Sequence, residues 1–117
     1  MSLTVYHNPR CRKSREVIQY LEELKIPFEI VKYHQQAFDK KTLQEILNKI
    51  KMKPSDILRK NEILWKKELS LKKPSEEQIL KLLVEHPNLI ERPIVTHSTS
   101  GVLARPLGNL IEFLQNH

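Results

Sequence analysis

The sequence predicts an α/β fold, a four-stranded mixed sheet covered by helices. Three observations carry this. The first third of the chain reads strand, helix, strand. The middle has a helical hydrophobic period throughout. The last third reads strand, turn, strand, helix. With 117 residues, 39% of them hydrophobic and 29% charged, the chain suits one globular domain with a single core.

The elements follow in order. LTVY (3–6) is short and β-prone, and Asn8-Pro9 ends it in a turn. From Ser14 a helix runs with Val17, Ile18, Leu21 and Leu24 on one face, and Pro27 marks its end. FEIVKY (28–33) alternates as a second strand, with Phe28 and Ile30 on one side. A strand, helix, strand unit of this kind has parallel strands. The next helix carries Leu43, Ile46, Leu47 and Ile50, with Asp39 as its N-cap. A further helix is expected from Pro54, with Ser55 or Asp56 near its start. Another lies in PSEEQILKLLVEHP, with acids in its first turn and Ile79, Leu82 and Leu83 facing the core. RPIVTHSTSGVLARP reads as two strands around a turn, and LGNLIEFLQ as a closing helix through Leu107, Leu110, Ile111 and Leu114. No repeat or flexible linker separates these pieces. Residues 1–117 are therefore expected to be one domain, with 36–88 a helical insertion. The order is compatible with a thioredoxin-like layout, and periodicity alone also allows other α/β sandwiches.

Composition narrows the function. No apolar run approaches the roughly 18 residues that cross a membrane, and MSLTVYHN lacks the apolar core of a signal peptide. A cytoplasmic protein is expected. The single cysteine, which cannot form an internal disulfide, agrees with a reducing compartment. The net charge of +6 fits either a solvated lysine-rich surface or an anionic partner. No zinc-finger spacing, phosphate loop or block of aromatics among basic residues points to nucleic acid. The histidines lack metal-ligand spacing.

The chemistry gathers around HNPRCRKS (7–14). Cys11 follows a strand and an Asn-Pro turn and precedes a helix. Helix-start N–H groups and the cations Arg10, Arg12, Lys13 and Arg15 all favour a thiolate there. The alternative is a small buried hydrophobe, a common fate of a free cysteine. His7 could add a hydrogen bond or a charge, or serve only as a structural donor. Ser14, three residues after Cys11, could bond the sulfur or simply occupy the first turn. It cannot resolve a mixed disulfide as a second cysteine would. Arg92 and Arg105 each precede a proline. With a turn of two or four residues they project from one face at the base of the hairpin. They suit a tetrahedral oxyanion, or ion pairs with Glu91 or Glu112.

YHNPRCRKSR, ILRKN, ERPIV and ARP, in this order and spacing, resemble the glutaredoxin-coupled arsenate reductase family, which shares its fold with Spx-type regulators. The resemblance spans roughly residues 3 to 115. It implies a thioredoxin-like fold, Cys11 as nucleophile, His7 supporting its thiolate, and Ser14 in the active-site loop. It also implies Arg59, Arg92 and Arg105 as anion-binding arginines, Asn8 as part of the loop, and Pro93 as the cis-proline facing the cysteine. The family's substrate is arsenate, its co-substrate glutathione and its partner glutaredoxin, with no bound cofactor or metal. A glutathione-dependent thiol oxidoreductase with another substrate, or an Spx-type regulator of RNA polymerase, are the alternatives. Spx-type proteins commonly carry C-x-x-C, where this chain has C-x-x-S. RCRKS carries more positive charge than the loop usual in the family.

Overall fold

Leu3 and Val5 are fully buried and alternate with half-buried Thr4 and Tyr6, which gives β1 (Leu3–Tyr6) an inner and an outer side. The computed structural model describes residues 3–35 and 38–116. The chain divides into two compact units, one made of residues 1–35 and 92–117, the other of residues 36–91.

In the first unit, α1 (Arg12–Glu23) follows β1 and leads into β2 (Phe28–Val31). The hairpin of β3 (Ile94–Thr96) and β4 (Gly101–Leu103) and the helix α4 (Leu107–Gln115) complete it. The sheet order is β2-β1-β3-β4, with β1 parallel to β2 and antiparallel to β3. This is the expected four-stranded mixed sheet. Its core joins Leu3, Val5, Val17, Leu21, Val95, Ala104, Leu110 and Phe113.

Several inward-facing residues differ from expectation. On α1 the buried face is Ser14, Val17 and Leu21, whereas Leu24 is 49% exposed because the helix has already ended at Glu23. Ile18 is half-buried beside the core. Ile30 is exposed, since β2 is an edge strand with a partner on one side only. On α4 the buried residues are Leu110 and Phe113, with Leu107, Ile111 and Leu114 half-buried.

In the second unit, α2 (Lys40–Ile50) buries Leu43, Ile46, Leu47 and Ile50, the face expected. Asp39 caps it, its Oδ1 accepting the Thr42 N–H at 2.7 Å. Lys51 closes it in the left-handed region at φ 57°. The chain's two glycines lie elsewhere, so a lysine takes the conformation that glycine usually supplies. α3 (Glu76–Glu85) opens on a Ser75–Gln78 capping box. Its inner face is Ile79, Leu80 and Leu83, with Leu82 only half-buried. The helix packs against both α2 and the turn at 54–57, and that broader contact draws in Leu80.

The helix expected from Pro54 is a single 3-10 turn, Pro54–Ile57, with Asp56 accepting the Lys53 N–H. Leu58 then runs extended and bridges Ile90. The Arg59 N–H bonds the Leu89 carbonyl and the Glu91 N–H bonds the Ile57 carbonyl, each at 2.7 Å. Pairing with residues 89–91 takes the main-chain groups that a continuing helix would need. Among the described residues no helix is long and apolar enough to cross a membrane.

Two substitutions probe this unit. Asp39→Ala removes the α2 cap and should cost about 1 kcal/mol in urea unfolding. Leu43→Ala, at a position with no exposed surface, should cost about 2–5 kcal/mol. Equal midpoint shifts for the two would contradict the burial pattern.

Candidate active site

The topology gathers the site at one end of the sheet. Tyr6 pairs with Ile94, and Ile94 with Leu103. The chain therefore leaves β1, enters β3 and leaves β4 at the same edge of the unit. The loop holding Cys11 and the two Arg-Pro pairs all sit there.

The loop is held by its own polar groups. The His7 N–H bonds the Val31 carbonyl at 2.9 Å, which carries the β1–β2 pairing one residue further. Asn8 then organises the turn. Its Oδ1 accepts the Arg10 N–H at 3.0 Å, its carbonyl accepts the Cys11 N–H at 2.9 Å, and its own N–H donates to Ser14 Oγ at 3.3 Å. This is an Asx turn tied back to the helix it precedes. Asn8 and Ser14 are both buried. Local pattern offered Asn8 as half of an Asn-Pro turn and the resemblance placed it in the loop; it bonds three residues there.

Cys11 is the N-cap of α1, with extended φ and ψ of −92° and 121°. Its sulfur stands where a capping oxygen would stand, towards the N–H groups of the first helical turn. No regular cap hydrogen bond forms. Burial is the largest single influence on the thiol and pushes its pKa up. The Ser14 N–H, the Arg92 side chain, the Lys13 N–H and the Arg92 charge together outweigh it, so the pKa falls below that of an ordinary thiol. Ser14 thus acts on the sulfur through its main chain, while its hydroxyl accepts from Asn8. It lies in the first turn and is not the cap.

The hairpin register decides where the arginines go. The turn at 97–100 has four residues, closed by the His97 N–H on the Ser100 carbonyl. Two steps beyond the Ile94–Leu103 pair, the register sets Arg92 opposite Arg105, with the Ala104 N–H bonded to the Pro93 carbonyl between them. Arg105 Nη1 lies 3.8 Å from Cys11 Sγ and 3.4 Å from the Arg92 carbonyl oxygen. The Arg92 guanidinium is also near enough to the sulfur to favour its thiolate. Both guanidiniums therefore reach Cys11. The Arg92-Pro93 and Arg105-Pro106 peptide bonds are both cis.

His7 is 6% exposed. Burial first, then the charges of Lys32, His34 and Arg15, lower its pKa, so it is neutral at physiological pH. It brings no positive charge to the thiolate, because the low-dielectric site and its cationic neighbours disfavour imidazolium. Among the described residues, no hydrogen bond joins it to Cys11, and its buried Nδ1 has no hydrogen-bond partner.

Arg59 belongs to the second unit. Its Nε lies 3.4 Å from Glu62 Oε1, and its Nη1 is buried with no hydrogen-bond partner among the described residues. Its side chain is only 21% exposed. Among the described residues no group of three or more His, Cys, Asp or Glu is placed to hold a metal ion.

Comparison with known proteins covers most of the chain. A profile of the ArsC family matches residues 6–113. The chain is 37% identical over 111 residues to a Neisseria meningitidis protein named arsenate reductase, spanning 92% of this chain and 94% of that one. It is 36% identical over 113 residues to the uncharacterised protein YfgD of Escherichia coli, spanning 94% of each. The solved structure of an arsenate reductase from Vibrio cholerae matches with a TM-score of 0.88 at 33% identity, over 96% of this chain and 97% of that one. The sheet order, the cysteine loop and the hairpin are thus those of a thioredoxin-like fold, and the chain belongs to the ArsC family.

Proposed function

We propose that this protein reduces arsenate to arsenite, with the Cys11 thiolate as nucleophile and glutathione and glutaredoxin as the sources of electrons. The observation that carries this is the convergence of Arg92 and Arg105 on Cys11 Sγ. A thiolate flanked by two guanidiniums can receive a tetrahedral oxyanion beside the atom that attacks it. The names of the similar proteins supply arsenate as the oxyanion.

The two arginines neutralise and orient arsenate through paired hydrogen bonds. The thiolate attacks arsenic, forming an S–As bond, and one arsenate oxygen leaves as water after protonation. Glutathione attacks arsenic in the adduct, forming a second S–As bond as another oxygen leaves as water. The glutaredoxin thiolate then attacks the glutathionyl sulfur, and the pair of the broken S–As bond stays on arsenic, which passes from the pentavalent to the trivalent state. Water hydrolyses the remaining bond between Cys11 and arsenic, releasing arsenite. The two external thiols are oxidised to a mixed disulfide, and Cys11 returns as a thiol. Ser14 in place of a second cysteine agrees with this use of external thiols. The resemblance adds Arg59 as a third anion ligand.

Cys11 should alkylate with a pH midpoint below the roughly 8.5 of a free thiol. Its thiolate persists to lower pH, so the acidic limb of the rate profile lies lower too. Arg92→Ala should move that midpoint upward. Ser14→Ala should leave it nearly unchanged, because the residue-14 N–H remains. A large upward move in Ser14→Ala would show that the hydroxyl, not the main chain, stabilises the thiolate.

In a coupled assay with arsenate, glutathione and glutaredoxin, Cys11→Ser should be inactive. Arg92→Ala and Arg105→Ala should each lose about 10²–10³-fold in kcat/KM, and Arg59→Ala should raise KM for arsenate. Background rates in the unaltered protein would refute arsenate as the substrate.

A further inference from the structure

Four cations occupy residues 10 to 15, and the structure gives them different roles. Arg15 folds back, its Nη1 donating to the Pro9 carbonyl at 3.3 Å and its charge bearing on His7. Arg10, Arg12 and Lys13 are exposed. The Arg12 side chain is 86% exposed and that of Lys13 47%. Glu16 lies 3.9 Å from both Arg12 and Lys13, so one half-exposed carboxylate is shared by two cations at a distance where exposed pairs are weak.

These charges do not serve the helix. The first turn of α1 contains no acidic residue, and cations at a helix N-terminus oppose its macrodipole. Nor are they what lowers the thiol, whose pKa is pulled down by main-chain N–H groups and by Arg92. A local rule broken without a gain in folding marks a functional position. Whatever these cations act on must be anionic, must come from solvent and must arrive at Cys11. A small ligand on Arg12 would stay largely in water, whereas small-molecule sites bury most of their ligand. Exposed charge around a reactive atom is suited to steering a macromolecule.

We propose that Arg10, Arg12 and Lys13 form a docking collar for an acidic protein surface, the face surrounding the reactive thiol of the reductant that restores Cys11. This rests on the reading of Cys11 as a thiol regenerated by glutaredoxin. It does not depend on arsenate.

The test uses the Cys11–glutathione mixed disulfide. The Cys11 thiolate attacks oxidised glutathione, forming the mixed disulfide and releasing one glutathione. The glutaredoxin thiolate then attacks the glutathionyl sulfur, so the bond to Cys11 breaks, a glutaredoxin–glutathione disulfide forms and Cys11 leaves as thiolate. The kcat/KM of that second step is measured for the unaltered protein and for R10Q/R12Q/K13Q, with a glutaredoxin of acidic pI, from about 20 mM to about 300 mM salt.

The unaltered protein should slow about tenfold across that range, and the triple variant should be about tenfold slower at low salt and nearly insensitive to salt. Reduction by dithiothreitol should be equal in the two proteins, and a glutaredoxin of basic pI should not favour the unaltered one. Equal rates and salt slopes with the acidic glutaredoxin overturn the collar. So does an equal loss with dithiothreitol, or a mixed disulfide that glutaredoxin leaves intact. If the salt effect holds while arsenate is not reduced, the collar stands and the arsenate reading falls.

Discussion

The antiparallel pairing of β1 with β3 is the constraint on which the site depends. It brings the exit of β1 and the open end of the hairpin to one edge of the sheet. Without it the cysteine loop and the two arginines, more than eighty residues apart in sequence, would have no reason to meet. The pairing is held by apolar burial. Val5 and Val95 face each other with no exposed surface, and Leu3, Leu21 and Leu110 fill the space around them. The core therefore fixes where the polar chemistry sits.

Above that frame, the loop is built from main-chain hydrogen bonds more than from charge. Asn8 closes the turn and Ser14 anchors Asn8, and this leaves Cys11 as the cap of α1. A sulfur in the capping position experiences N–H groups fixed in direction by the helix. Such fixed dipoles cost no reorganisation when charge develops on the sulfur. The nearby cations face water, where screening weakens them. This separates two uses of positive charge in one short loop, one directed at the thiol and one directed outward.

The neutral state of His7 belongs to the same economy. A buried imidazolium beside Lys32 and Arg15 would be costly, so the ring stays uncharged and the positive field on the thiolate comes from Arg92. A guanidinium keeps its charge at all physiological pH values, so the thiolate does not depend on the titration of a histidine.

The sequence by itself determined the strand-helix-strand opening, the closing hairpin and helix, the Asp39 cap and the buried face of α2, because these follow from local period and capping chemistry. The four-stranded mixed sheet it predicted was one of several α/β sandwiches that periodicity allows, until the strand pairing fixed it. The shared face of Arg92 and Arg105 followed from the sequence only for a turn of two or four residues, and the four-residue turn at 97–100 meets that condition. Tertiary structure decided the rest. Leu58 and Arg59 leave the helical path because residues 89–91 offer their main chain a partner. Leu24 and Ile30 are exposed because a helix end and a sheet edge lack a second neighbour. The meeting of Arg105 with Cys11, and the main-chain role of Ser14, depend on distances between residues that no local pattern encodes.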